Sequence, residues 1–227
     1  MSRFEVEHAT EEEIAREAAL FGPLTDAVRA LVDATIRTEV EDEEVRAAQA
    51  EVEAIVERLR KKQMDGAYGV RFRPDGKRGR NWGNAVMGLR NAIAPPLDIR
   101  SDGSGSAWSD FHLGAAYEGP PGLVHGGVIS LMLDQVLGHA VSTSGRPGMT
   151  GTLTIVYRRG TPLGDLRCEA WVDHREGIKT WGKGRILDAD GEVTAEAEGV
   201  FILPKWARKL DRFRAAAEAT ESGIELE

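Results

Sequence analysis

The stretch GLVHGGVISLMLDQVLGHAV, from Gly122 to Val141, constrains the fold more than any other part of the chain. It is apolar on nearly all sides when drawn as a helix, and such a helix must be buried on nearly all sides. Its uninterrupted apolar runs fall short of the roughly 18 residues that a membrane span requires. We therefore expect a buried central helix and no segment that crosses a bilayer.

The residues on both sides of this helix follow the two-residue period of half-buried strands. The segments Glu176-Gly177 and Asp188-Ala189-Asp190-Gly191 are turn signals, so the strands that they join should be antiparallel neighbours. This pattern predicts an α+β fold in which a meander of strands curls around one long helix. The predicted strands are 97–101, 106–117, 149–159, 166–177, 178–188 and 192–203.

The first third of the chain, to about Gln63, is rich in Glu, Ala and Arg and almost free of aromatic residues. Thr10 and Glu13 have the spacing of a capping box, and Gly22-Pro23 interrupts the pattern that follows. We expect helices near 11–20, 24–40 and 43–62. The predicted organisation is a helical region at 1–63, an extended linker at 64–96, the main domain at 97–204, and a C-terminal helix with a tail at 205–227.

The last of these N-terminal helices is amphipathic. Its apolar side chains fall on one stripe, and Glu and Arg cover the opposite side. The stripe consists of Val45, Val52, Ile55, Val56 and Leu59. We expect it to pack on its own domain or on a second copy of the chain, rather than to recruit a different protein.

Composition excludes several classes of function. The chain has 227 residues, a formal net charge of -8 and one cysteine, so no internal disulfide forms and a broad nucleic-acid-binding face is disfavoured. The start MSRFEVEHATEEE lacks a basic segment followed by an apolar one, which makes a cytoplasmic protein the expectation. The five histidines lack metal-ligand spacing, so no metal site is expected.

The start of the central helix has the properties of a site for a polarised oxygen. Gly126 and Gly127 permit close approach of the backbone, and the first N–H groups of a helix favour negative charge. Asp134 lies seven residues after Gly127 on nearly the same face, but ~10 Å along the axis. If the two features cooperate, the helix start of one subunit must meet the aspartate of another, which implies a symmetric dimer.

The sequence YEGPPGLVHGGVISLMLDQVLG, followed by MTGTLTIVYRRGTPLGD, resembles the hotdog-fold acyl-CoA thioesterase superfamily. The likeness is greatest to the phenylacetate-degradation-type branch and the related human thioesterase-superfamily proteins, and it covers roughly residues 97–204. It implies a homodimer or a dimer of dimers that hydrolyses an acyl-CoA thioester to the free acid and CoA, without metal or cofactor.

The resemblance also implies roles for individual residues. Gly126 and Gly127 would polarise the thioester carbonyl, Asp134 of the partner would act as general base or nucleophile, and Thr150 would orient water. His125 is expected to be a hydrogen-bonding residue at the helix entry.

The same resemblance marks residues for substrate binding. Gly119, beside Glu118, stands where some relatives have an Asn, which puts a water-holding role there in doubt. Arg158 and Arg159 are candidates for contact with the CoA phosphates.

Two alternatives stay open. A non-catalytic acyl-CoA sensor or pathway scaffold would use the acidic helices as an interaction arm. A hotdog hydratase would need Asp134 and His139 to converge, but five helical residues leave them ~140° apart in angle, so we disfavour it.

Overall fold

A computed structural model describes residues 4–72, 80–95, 97–205 and 207–208 of the chain. The chain divides into two compact units, residues 1–95 and 96–227. The predicted boundaries after residues 63, 96 and 204 stay predictions, and most of the predicted C-terminal helix lies outside the described residues. Within the described ranges, no helix combines the length and the apolar character of a membrane span.

The first unit contains two long helices and a short pair of strands. Strand β1 (Phe4–Val6) pairs in parallel with β2 (Val70–Phe72), and helices α1 (Glu11–Arg37) and α2 (Asp42–Arg60) lie between them in sequence. The predicted capping box at the start of α1 is confirmed. The Thr10 hydroxyl accepts from the backbone N–H of Glu13, and the Glu13 carboxylate accepts from the backbone N–H of Thr10.

The predicted break at Gly22-Pro23 is wrong, because α1 runs through Pro23. Proline removes one backbone hydrogen bond from a helix and crowds the preceding turn. Contacts on both sides of Pro23 hold the helix in place: Glu17 pairs with Arg80 at 2.5 Å, and the Arg29 guanidinium donates to the Ala94 carbonyl oxygen at 3.2 Å. These tertiary contacts offset part of the local cost of the proline.

In the second unit, six antiparallel strands form one sheet in the spatial order β3-β4-β6-β7-β8-β5. Gly177 and Gly191, in the turns that join β6 to β7 and β7 to β8, have φ angles of 54° and 79°, which glycine adopts readily. The predicted antiparallel pairing of these three strands is confirmed. The strands are β3 (Arg100–Ser101), β4 (Ser106–Leu113), β5 (Met149–Tyr157), β6 (Gly164–Glu176), β7 (Lys179–Leu187) and β8 (Val193–Ile202).

Strand β5 does not continue the meander, contrary to expectation. It pairs with β8 at the far edge of the sheet, and the chain then crosses through residues 158–163 to reach β6. Within the described chain, no strand pairs with the outer edge of β5. Met149 and Tyr157, at its two ends, are 66% and 51% exposed. The sheet therefore ends in an open edge beside the central helix.

Helix α3 (Gly126–Thr143) packs against the sheet and contacts all six strands. Met132, Leu133, Val136 and Leu137 are fully enclosed there. The predicted α+β hotdog architecture, a long helix covered by an antiparallel sheet, is confirmed. Leu131, however, is 39% exposed, so one side of α3 stays accessible in the single chain.

Candidate active site

The accessible side of α3 carries both the glycines at the helix start and the carboxylate of Asp134. Gly127 and Leu131 are exposed, and Ser130 and Asp134 are half-buried. Residues three and four positions apart share one helix face. The glycines at the helix start and the acid two turns later therefore lie along one accessible stripe, next to the open edge of β5.

The structure brings Asp134 and Thr150 together within one chain. The Thr150 hydroxyl, near the start of β5, donates a hydrogen bond to Oδ1 of Asp134 at 2.8 Å. An ionised carboxylate has about four lone-pair sites. Thr150 therefore fixes the orientation of Asp134 and leaves its other oxygen able to accept a proton.

His125 caps the start of α3. Its Nδ1 accepts a hydrogen bond from the backbone N–H of Gly127 at 3.0 Å, so Nδ1 carries no proton and the neutral ring has its proton on Nε2. The N–H of Gly127 is thereby occupied. The N–H of Gly126 donates to no group within the described residues. Of the two glycines, Gly126 thus offers the free donor at the positive end of the helix.

Tyr157 and Ser130 complete the helix start, and neither residue was predicted from the sequence. Their hydroxyl oxygens lie 2.8 Å and 3.0 Å from the carbonyl oxygen of Gly126 and 2.8 Å from each other. This carbonyl belongs to the same peptide group as the N–H that His125 accepts, so both ends of the Gly126–Gly127 peptide are held. Ser130 lies four residues after Gly126, a spacing that could have identified it, whereas Tyr157 reaches the site from the end of β5, which no local spacing indicates.

The loop before the helix packs closely on His125. The Glu118 carboxylate accepts from the backbone N–H of Gly122 at 2.7 Å and closes this loop. A Cβ atom at Gly119 would lie only 2.8 Å from Cα of His125. Gly119 therefore permits the close approach, and an Asn at this position would displace the loop or His125.

Arg158 and Arg159 are both engaged in ion pairs. Arg158 contacts Glu196 at 2.6 Å, and Arg159 contacts Asp188 at 2.5 Å. Both guanidinium groups are about half-exposed, so an incoming phosphate would compete with these carboxylates.

Asp134 does not reach the helix start of its own chain. Eight residues separate it from Gly126, which corresponds to ~12 Å along the helix axis. One chain therefore presents two half-sites: His125, Gly126, Ser130 and Tyr157 at one end of the stripe, and Asp134 with Thr150 at the other.

Other reactive groups lie apart from this stripe. Burial raises the pKa of the Cys168 thiol well above its usual range, so no thiolate is available at β6. His139 is only 4% exposed and does not share the accessible stripe with Asp134, which removes the geometric basis for a hydratase. Among the described residues, no group of three His, Cys, Asp or Glu side chains is arranged to hold a metal ion.

A family model described as the thioesterase superfamily matches residues 121–195, which include both half-sites. The crystal structure of a thioesterase superfamily protein is 31% identical and aligns over 89% of this chain and all of that chain, with a TM-score of 0.72. The chain belongs to the thioesterase superfamily. The likeness to that structure extends well beyond the region that carries the sequence motifs.

Two curated relatives of this superfamily member are similar to part of its chain. Acyl-coenzyme A thioesterase THEM4 of Xenopus laevis is 34% identical over 97 residues, which are 40% of this chain and 42% of the relative. The Bos taurus protein of the same name is 34% identical over 94 residues, which are 40% of this chain and 38% of the relative. The chain thus spans about two fifths of the length of these relatives.

Proposed function

We propose that this superfamily member is an acyl-CoA thioesterase that releases free acid and CoA. The observation that carries the proposal is the hydrogen bond from Thr150 to Asp134. It places an oriented carboxylate on an accessible stripe of a largely apolar helix. One neutral hydroxyl does not compensate the charge of a carboxylate beside apolar side chains, which favours a chemical role for Asp134. The acyl-coenzyme A thioesterase name of the THEM4 relatives agrees with this chemistry.

In the proposed reaction, the thioester carbonyl oxygen accepts a hydrogen bond from the N–H of Gly126. Asp134 takes a proton from water as the water oxygen attacks the carbonyl carbon. The oxyanion of the tetrahedral intermediate is stabilised by the Gly126 N–H and the positive end of α3. Collapse then breaks the C–S bond, and the proton held by Asp134 passes to the CoA sulfur. The products are the carboxylic acid and the CoA thiol, and no metal or cofactor takes part.

The proposed site is shared between two subunits. The ~12 Å between Gly126 and Asp134 of one helix is too long for both to contact one carbonyl group. A two-fold axis beside α3 would bring Asp134 of each chain to Gly126 of the other. The accessible stripe on α3 and the open edge of β5 favour this face for the contact. The proposed assembly is a homodimer or a dimer of dimers.

We assign the remaining site residues to substrate positioning. His125 would hold the Gly126–Gly127 peptide, and Glu118 and Gly119 would shape the loop against it. Arg158 and Arg159 follow Tyr157 directly and would contact the CoA phosphates by exchanging their carboxylate partners. We also propose that the protein belongs to the phenylacetate-degradation-type branch of the superfamily and that it is located in the cytoplasm.

A screen of acyl-CoA substrates with a free-thiol reagent tests the proposed function. The panel contains straight-chain acyl-CoAs of increasing length together with phenylacetyl-CoA and benzoyl-CoA. We expect thiol release from at least one class with a kcat on the order of 1 s⁻¹ or more. Tight binding of acyl-CoA without thiol release from any of them would instead favour the non-catalytic sensor or scaffold.

Tyr157→Phe tests the role of the Tyr157 hydroxyl, which contacts the Gly126 carbonyl oxygen at the start of α3. We expect kcat for the best substrate to fall about fivefold with little change in KM, because one hydrogen bond is worth ~1 kcal/mol and Ser130 still contacts the carbonyl. Tyr68→Phe is a matched control, since the Tyr68 hydroxyl has no hydrogen-bond partner among the described residues. Parent kcat in Tyr157→Phe, or an equal loss in Tyr68→Phe, would contradict the assignment.

A further inference from the structure

Helix α2 has an apolar stripe that the described part of the chain leaves uncovered. Val45, Val52, Ile55, Val56 and Leu59 recur at three- and four-residue spacing and share one side of the helix. Val45, Ile55, Val56 and Leu59 are 47%, 40%, 36% and 51% exposed, and α2 contains no buried residue. The predicted stripe therefore exists, but the described residues of a single chain leave most of it exposed.

This helix requires a partner for its stability. An isolated helix of 19 residues is marginal in water, and most helices in proteins are stabilised by burial of their apolar side. Leu59 also lines an apolar groove of about 820 Å³ together with Leu24 and Val28 of α1. The uncovered apolar surface thus extends from α2 onto α1. Its residues are contiguous, unlike the single exposed apolar side chains that are common on protein surfaces.

The two ends of α2 carry opposite charge. Asp42, Glu43 and Glu44 occupy its first turn, whereas its end carries Arg58 and Arg60, followed by Lys61 and Lys62. Arg46 lies 3.8 Å from Asp42, and Arg60 lies 3.3 Å from Glu57. Each end nevertheless keeps an excess of one sign.

We propose that α2 binds α2 of a second copy of the chain, antiparallel and across a two-fold axis near Val52. In this arrangement Val45 of one helix lies opposite Leu59 of the other, and both apolar stripes are covered. The acidic first turn of each helix meets the basic end of its partner. A parallel arrangement would place ends of like charge together.

The distribution of charge on α2 favours a second copy of the chain as its binding partner. A surface that is acidic at one end, basic at the other and apolar between them is complementary to itself after a two-fold rotation. The contact is independent of the proposed catalytic function, because it uses no residue of either half-site.

Cysteine cross-linking tests the pairing. Val45→Cys chains and Leu59→Cys chains carry tags of different mass and are co-expressed at full length, then oxidised and separated without reductant. A disulfide requires the two Cβ atoms to approach to about 3.5–4.5 Å. We expect a cross-linked species of mixed mass, at least about tenfold more abundant than cross-linked product from either variant alone.

Two controls define the background. The parent chain has one cysteine, Cys168, which is buried. An Ala47→Cys and Ala54→Cys pair lies on the opposite side of α2, which faces away from the proposed partner helix, and should give no mixed product. Strong cross-linking of Val45→Cys with itself would indicate a parallel pair and overturn the proposal. A mixed yield no greater than that of the Ala47 and Ala54 pair would also overturn it, whether or not the protein hydrolyses acyl-CoA.

Discussion

Asp134→Asn is expected to lower acyl-CoA turnover by about two to four orders of magnitude, the range for loss of a general base. The amide is close in size to the carboxylate and can still accept the hydrogen bond from Thr150, so the fold and acyl-CoA binding should survive. Steady-state thiol release gives kcat, and substrate binding measured separately gives Kd. Thr150→Ala should lose only about tenfold, because its hydroxyl orients a carboxylate but transfers no proton.

Mixing Asp134→Asn chains with Gly126→Pro chains tests whether the site is shared between subunits. Gly126→Pro removes the free N–H, and proline is favoured at the first position of a helix. His125, which precedes it, has φ -61° and ψ 132°, an extended conformation compatible with a following proline. Each variant alone should be nearly inactive.

Mixed dimers would contain one site with both an intact Gly126 and an intact Asp134. Random assortment of equal amounts should therefore restore about one quarter of the parent activity. Mixed dimers that form but remain inactive would contradict the shared site. Asp134→Asn chains that fold normally and hydrolyse acyl-CoA at the parent rate would remove the catalytic role and favour the sensor or scaffold.

Local sequence signals predicted the elements of the fold more accurately than their arrangement. The alternation in 178–188 and 192–203 and the glycines at 177 and 191 determine β7, β8 and their turns through neighbouring residues alone. The position of β5 depends on pairing with β8, which follows it only after two other strands, and periodicity does not encode this pairing. The uninterrupted α1 has the same explanation, since distant partners such as Arg80 and Ala94 hold it on both sides of Pro23.

In the candidate site, too, residues with an unusual local sequence context could be predicted, whereas their long-range contacts could not. Asp134 and Gly126 stand out in sequence because a carboxylate and paired glycines are unusual in an apolar helix. Thr150 was predicted only through the family resemblance, as a residue that orients water, and its hydrogen bond to Asp134 was not predicted. The contacts of Tyr157 with α3, and the ion pairs of Arg158 and Arg159, join residues that are distant in sequence, and no pattern within β5 specifies them.

Replacing Arg80 should produce the largest loss of stability in the first unit. Arg80 and Glu7 are 6% and 8% exposed, and the Arg80 Nε lies 2.9 Å and 2.8 Å from the two carboxylate oxygens of Glu7. Removal of Arg80 leaves the buried Glu7 carboxylate with the more distant Arg71, at 3.5 Å, and breaking a buried ion pair in this way costs about 3–5 kcal/mol. Arg80→Met keeps much of the aliphatic volume and is expected to lower the free energy of unfolding by that amount in urea titrations of the full chain.

Arg37→Met is the matched control for this prediction. Arg37 also contacts an acidic residue, Asp33, but the two side chains are 68% and 42% exposed. An exposed pair contributes at most about 1 kcal/mol, so the control should unfold almost as the parent does. Equal losses in the two variants would show that burial of the Arg80 pair is not the cause.

The pH dependence separates the ion pair from simple loss of packing. The hydrogen bonds and charge of Arg80 lower the pKa of Glu7 below its ordinary value of 4.5. A carboxyl group with a lowered pKa stabilises the folded state fully above its ordinary pKa, and this stabilisation disappears as the pH falls through the folded pKa. The parent chain should therefore lose stability below about pH 4.5 more steeply than Arg80→Met, in which little of the Glu7 contribution remains to be lost. Parallel pH profiles for the two chains would mean that Arg80 acts through packing on Trp82, over whose ring it lies at 4.4 Å, and not through Glu7.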